Sequence, residues 1–187
     1  YLPLLELSVR EDPEDDRNLH YLGREYLYYG RWDDCIRTLT RHLALPSAVW
    51  RDERAASMRY IARAHAQKGE RDEARDWYLR AAAEAPHLRE PWVDLAMLLY
   101  EDQEWDGVLY ATACALKIRE RPRTYICEAE AWGGLPHDLR CQAYYHTGRL
   151  PQALEEARLA LAAAPSDPRL AGNAELLEKM AGLAGEL

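Results

Sequence analysis

Residues 55–88 read AASMRYIARAHAQKGERDEARDWYLRAAAEAPHL. With Ala55 as position 1, Met58, Ile61, Ala62 and His65 stand at positions 4, 7, 8 and 11. That i, i+3, i+4, i+7 spacing puts them on one face of a helix. Gly69 at position 15 stops the helix, because Gly adopts the left-handed C′ conformation without a Cβ penalty. Glu70, Arg71, Asp72 and Glu73 open a second helix, with acids where the helix dipole favours them. Ala74, Tyr78, Ala81 and Ala82, at positions 20, 24, 27 and 28, form its inner face. Pro86 at position 32 lacks an amide hydrogen and cannot continue it. Small residues at positions 8, 20 and 27 let the two backbones approach, and large ones at 4, 7, 11 and 24 fill the space between.

The same spacing recurs on both sides. In 16–49, Leu19, Leu22, Gly23, Tyr26, Gly30, Cys35 and Leu39 fall at positions 4, 7, 8, 11, 15, 20 and 24. His42 takes position 27 there, and Pro46 comes one place early. In 89–122, Trp92, Leu95, Ala96, Leu99, Val108 and Ala115 fall at 4, 7, 8, 11, 20 and 27, with no turn Gly and with Thr112 at 24. In 134–167, Cys141, Tyr144, Gly148, Ala153, Ala157, Ala160 and Pro165 fall at 8, 11, 15, 20, 24, 27 and 32, with Arg140 at position 7. A period of this length marks a helical solenoid. The pattern resembles the tetratricopeptide repeat, with its large residues at 4, 7, 11 and 24, small ones at 8, 20 and 27, and Pro at 32. The resemblance implies an all-α fold, a right-handed α-α superhelix of antiparallel helix pairs.

One repeat domain over 1–187 is therefore expected, with repeats at 16–49, 55–88, 89–122 and 134–167. Residues 1–13 read as a leading helix cut at its start, since Tyr1 counts back to position 20 of an earlier unit. With no initiator Met, the chain is expected to be the C-terminal portion of a longer protein. A five-residue insertion lies around Pro46–Trp50. Helices are expected at 15–29, 32–45, 51–68, 71–84, 88–102, 105–118, 136–147 and 151–164. Segment 123–133, RTYICEAEAWG, adds an extra short helix and a Trp132-Gly133-Gly134 turn. Tyr125 and Trp132 are expected against the last repeat. Arg140, at a core position, pairs with Glu128 or Glu130, or extends its head to water past an apolar stem. Residues 168–187 form a capping helix, with Leu170, Leu176, Leu177, Met180 and Leu183.

Composition excludes several functions. Lys and Arg number 24 against 32 Asp and Glu, a net charge of −8. General nucleic-acid binding needs basic surface, so it is excluded. No apolar run approaches a membrane span. The start, YLPLLELSV, lacks a basic leader and so is not a secretory signal. Cys35, Cys114, Cys127 and Cys141 form no C-x-x-C pair, and no His cluster has zinc spacing. Reduced, buried thiols in a cytoplasmic protein are the expectation. No metal, cofactor or catalytic residue is assigned, because helical repeats scatter acids over every outer face.

A narrower resemblance rests on RNLHYLGREYLYYGRWDDCI (17–36), REP (89–91), RPRTYICEAEAWGGLPHDL (121–139), AYYHTGR (143–149) and APSDPRL (164–170). Together they resemble the repeat region that follows the catalytic domain of certain bacterial family-2 glycosyltransferases. The resemblance implies an accessory domain of a sugar-transferring enzyme. No Asp-x-Asp motif occurs here, so the catalytic half is absent and no activity is carried over.

In tetratricopeptide arrays, positions 2, 5, 9, 12 and 13 line the concave groove. Here they give Arg17, His20, Arg24 and Tyr28, then Arg59, Arg63 and Gln67. The third unit gives Glu90, Met97, Tyr100 and Glu101, with Asp94 taken one place beyond position 5, and the fourth Asp138, Gln142, Tyr145 and His146. The first half of the groove is expected to be basic, the second acidic and aromatic. Two readings of the arginines stand open. Arg24, Arg59 and Arg63 hold a carboxylate or phosphate, which Arg can grip bidentately. Alternatively they pair with Glu25, Glu53 or other acids and solvate the groove. The family's carboxylate clamp uses Lys at position 5 and Asn at position 9, which this chain lacks. Tyr28, Tyr100 and Tyr145 are candidates for stacking on a peptide or sugar.

The function expected is a non-catalytic scaffold whose groove binds a protein or peptide, including the catalytic domain of its own chain. The alternative is a glycosyltransferase domain that helps hold an acceptor or sugar nucleotide. A homodimerisation scaffold is the third reading.

Overall fold

The computed structural model describes residues 1–184, and these contain helices and no strand. The helices are α1 (Leu2–Glu11), α2 (Asp16–Tyr28), α3 (Trp32–Ala44), α4 (Arg51–Gln67), α5 (Arg71–Glu84), α6 (Glu90–Glu101), α7 (Trp105–Lys117), α8 (Ala129–Trp132), α9 (Leu135–His146), α10 (Leu150–Ala163) and α11 (Pro168–Ala184). Their ends agree with the sequence expectation to within about two residues, the usual uncertainty of frayed helix ends. The contacts divide the chain into two compact units, Tyr1–Pro86 and His87–Leu187.

In the first unit α1 packs on α2, α2 on α3, and α4 on α2, α3 and α5. Covered on three sides, α4 is buried almost continuously from Ala55 to Ala62. Gly23 sets the approach of α2 to α3, since a Cβ there would lie 2.3 Å from Leu39 Cδ2. Cys35, Leu39, Ala62, Ala74 and Ala81 are fully buried. In the second unit α9 packs against α6, α7, α8 and α10. Ala96, Val108, Ala115 and Cys141 sit in its interior.

One turn recurs four times. The amide of residue 16 of each unit donates to the carbonyl of residue 11: Arg31 to Tyr26, Glu70 to His65, Glu104 to Leu99 and Arg149 to Tyr144, at 2.8–3.0 Å. This is the closing bond of a Schellman cap, which needs a left-handed residue at position 15. Gly30, Gly69 and Gly148 supply it at φ 70°, 79° and 74°, while Gln103 supplies it at φ 59°. The unit without a turn Gly keeps the turn and takes on the strain.

Three packing expectations are corrected. Arg140 does not reach Glu128 or Glu130. Its Nε donates to Glu156 of α10 at 2.7 Å, and its Nη2 to the Tyr144 hydroxyl at 3.1 Å. Glu156 also meets His137 Nδ1 at 2.7 Å. Burial pushes the Glu156 carboxyl up, but His137 and Arg140 outweigh it and hold it below the usual range. Trp132 ties the inserted segment to the start of α6, because its Nε1 donates to Glu90 at 2.8 Å and Arg89 lies over its ring. The Glu128 amide donates to the same Glu90 oxygen at 3.0 Å. Tyr125 is 52% exposed, so it is not packed into the last repeat as expected.

α11 packs on α10, with Ala174 and Leu177 against Cys141, Ala153 and Ala157. Leu170 is buried and Leu176 exposed. Leu183, expected on the cap's apolar face, and residues 185–187 lie outside the described side chains.

Candidate functional site

The structure separates the expected groove residues by burial. In the first unit Arg17, Tyr28 and Gln67 are exposed, and Arg24 and Arg63 are half-buried. Arg24 lies over the rings of Tyr21 and Tyr28, at 5.0 and 6.0 Å, and within 3.4 Å of Glu25. Arg63 lies over Tyr60 at 5.7 Å. Arg59 and His20 are 0% exposed. The expected anion site of Arg24, Arg59 and Arg63 is therefore not assembled at a surface. The physical reason is the cover over α4, which takes position 5 of this unit inside.

His20 is committed to the interior between α2 and α4. Its Nδ1 lies 2.8 Å from Ser57 Oγ, which lies 3.1 Å from His42 Nδ1. Burial pushes His20 down to about 4, against a smaller upward pull from Glu53. It is neutral at pH 7 and cannot serve as a groove cation.

The second unit keeps an open surface. Glu90 is fully buried beneath the inserted segment and Asp94 is nearly so, which removes both from the groove. Met97, Tyr100, Glu101, Asp138 and Gln142 line one cleft of about 470 Å³. Its far wall is Arg169 and Asn173 of α11. Arg169 forms an ion pair with Asp138 at 2.8 Å. A smaller hollow shares Gln142 and Asn173 and adds Tyr145, Leu176 and Leu177. An aromatic row runs along this face: Tyr100 is edge-on to Trp105 at 5.7 Å, His146 stacks on Trp105 at 4.3 Å, and Tyr145 is edge-on to His146 at 5.4 Å. Two side-chain amides, a row of rings and paired charges can take up backbone hydrogen bonds, an apolar anchor and a charged side chain.

Two features escaped the sequence reading. Arg169 and Asn173 stand in the segment read as a capping helix, and no periodic signal marks a cap residue as groove-lining. Asp16, His42 and Glu53 come from three helices, so their convergence leaves no spacing to find.

No family model and no curated protein matches the chain. Solved structures do. MamA is 19% identical, with a TM-score of 0.68 over 86% of this chain and 85% of that one. YrrB, described as a TPR protein with an unusual peptide-binding site, is 13% identical, with a TM-score of 0.68 over 97% and 86%. A thermophilic TPR protein of Thermus thermophilus is 19% identical, with a TM-score of 0.63 over 94% and 88%. Identities this low speak to the fold alone. No described helix is long and apolar enough to cross a membrane. The chain has the fold of the tetratricopeptide-repeat proteins, an all-α solenoid of antiparallel helix pairs.

Proposed function

We propose that the chain is a non-catalytic interaction module that holds a peptide segment of a partner protein in the cleft of its second unit. The observation that carries this reading is the convergence of Tyr100, Gln142 and Asn173 from α6, α9 and α11 on one cleft beside exposed Tyr145. Gln142 and Asn173 bond the peptide backbone, and the rings take an aromatic or aliphatic anchor. Exposed Glu101, in a chain of net charge −8, selects a basic residue beside that anchor. The peptide-binding description of YrrB supports the same use of the fold.

The test is selection of random twelve-residue peptides on the whole chain, followed by titration of the winners. Tyr100→Ala and Gln142→Ala are each expected to weaken them by about tenfold, the effect of losing about 1.4 kcal/mol at an anchor. Winners that bind both variants as tightly as the parent would remove the cleft as the site.

A second reading follows the glycosyltransferase resemblance: an accessory domain in the cytoplasm that docks the catalytic domain of its own chain or helps hold a sugar nucleotide. The exposed row of Tyr100 and Tyr145 beside Trp105 favours it, since sugars stack on such rings. Titration with uridine diphosphate sugars decides it, and saturable binding lost in Tyr100→Ala is the result it needs. A concentration-dependent mass in sedimentation would instead favour the homodimer.

A further inference from the structure

In the first unit the last turn of α3, the first residue of α2 and the first turn of α4 meet at His42, Asp16 and Glu53. One ligand atom from each lies within 4.8 Å of the others. His42 is 0% exposed and Glu53 is 4% exposed. His42 Nε2 is buried, makes no hydrogen bond, and faces Glu53 Oε1 at 3.7 Å. That separation is too long for a hydrogen bond. It is close to the spacing of about 3.3 Å between two atoms that each sit about 2.0–2.1 Å from one tetrahedral ion.

The other nitrogen of His42 explains which atom faces the acids. Ser57 Oγ touches both His42 Nδ1 and His20 Nδ1. A hydroxyl has one proton to give. Given to His20 Nδ1, it leaves Ser57 Oγ free to accept the Nδ1 proton of His42. His42 then turns the Nε2 lone pair toward two carboxylates. A buried nitrogen that makes no hydrogen bond and two carboxylate oxygens within 4.8 Å of one another are three donor atoms gathered at one point.

We propose that Asp16, His42 and Glu53 form a binding site for one divalent cation of the zinc class. One imidazole nitrogen and two carboxylate oxygens are a donor set such ions accept, with a fourth position left for water or a further ligand. Ser57 and His20 are positioning residues, holding the tautomer and the ring as outer-shell partners do. The ion ties α2, α3 and α4 together across the first two helix pairs. This proposal is independent of the peptide cleft, which lies in the other unit.

The test uses the full chain, stripped of metal by a chelator and titrated with Co²⁺ and then Zn²⁺. The result expected is one equivalent of Co²⁺, with the visible absorption of a low-coordinate ion, displaced by one equivalent of Zn²⁺ and accompanied by a higher urea midpoint. Asp16→Asn, Glu53→Gln and Ser57→Ala are each expected to weaken Zn²⁺ by about tenfold or more. His87→Ala, at an exposed histidine of the other unit, leaves binding unchanged. Asp16 is half-exposed and the capping bond belongs to its neighbour Asp15, so Asp16→Asn keeps the fold and serves even if Glu53→Gln does not. Zn²⁺ affinity no tighter than about millimolar would overturn the site. So would Asp16→Asn binding as tightly as the parent, which would assign the ion to scattered surface histidines.

Discussion

Gln103 shows what one residue contributes. It stands where three other units have glycine, at φ 59°, and makes the same turn. A side chain in the left-handed region costs about 1–2 kcal/mol, part of which Gly returns through its looser unfolded chain. Gln103→Gly should therefore stabilise the protein by about 0.5–1 kcal/mol, read as a higher urea midpoint; no change would mean the turn is unstrained. Gly23 is the opposite case. Its missing Cβ leaves room for Leu39, so Gly23→Ala should cost about 1–3 kcal/mol through overpacking. Calorimetry checks this, and a melting temperature equal to the parent's would contradict it. Gly23 and the turn glycines were legible from position alone. The strain at Gln103 was legible only as an exception to that pattern.

Between elements, buried polar groups decide the outcome. His20 links α2 to α4 through Ser57, and its folded value of about 4 lies below the ordinary 6.5. As pH falls the unfolded chain takes up that proton first. The stabilisation is complete above 6.5 and is lost progressively toward 4, by up to about 3 kcal/mol. Between pH 7.5 and 4.5 the urea midpoint of the parent should fall further than that of His20→Gln, which keeps a partner for Ser57. Parallel curves would assign the acid sensitivity elsewhere. The inserted segment hangs on Glu90 in the same way. Glu90→Ala strands the Trp132 indole and the Glu128 amide, at about 1–3 kcal/mol. Trypsin should then cut faster at exposed Arg123, and an unchanged cleavage rate would show that the segment is held by other contacts. The sequence announced an extra short helix here, and α8 is that helix. Its anchor lies about forty residues upstream, beyond the reach of periodicity.

On the scale of the whole molecule, stability should follow the cover over each helix. Exchange of backbone amides reports local opening free energy. α4, packed by three helices, should protect its amides longest, and α11, resting on α10, should exchange fastest among the long helices. Equal protection in α4 and α11 would mean that the chain opens as one cooperative block.

The sequence by itself determined the helix pairs, their turns and the small and large positions between them. These depend on backbone dihedrals and on packing between helices adjacent in the chain, which a fixed period records. Only the tertiary structure decided which polar positions reach solvent. Arg59 and His20 share their period with Arg63 and Arg24, but the helices packed around them take them inside. Only the tertiary structure brought Arg169 and Asn173 to the cleft and Asp16 and Glu53 to His42, because burial and convergence depend on neighbours that no single repeat contains.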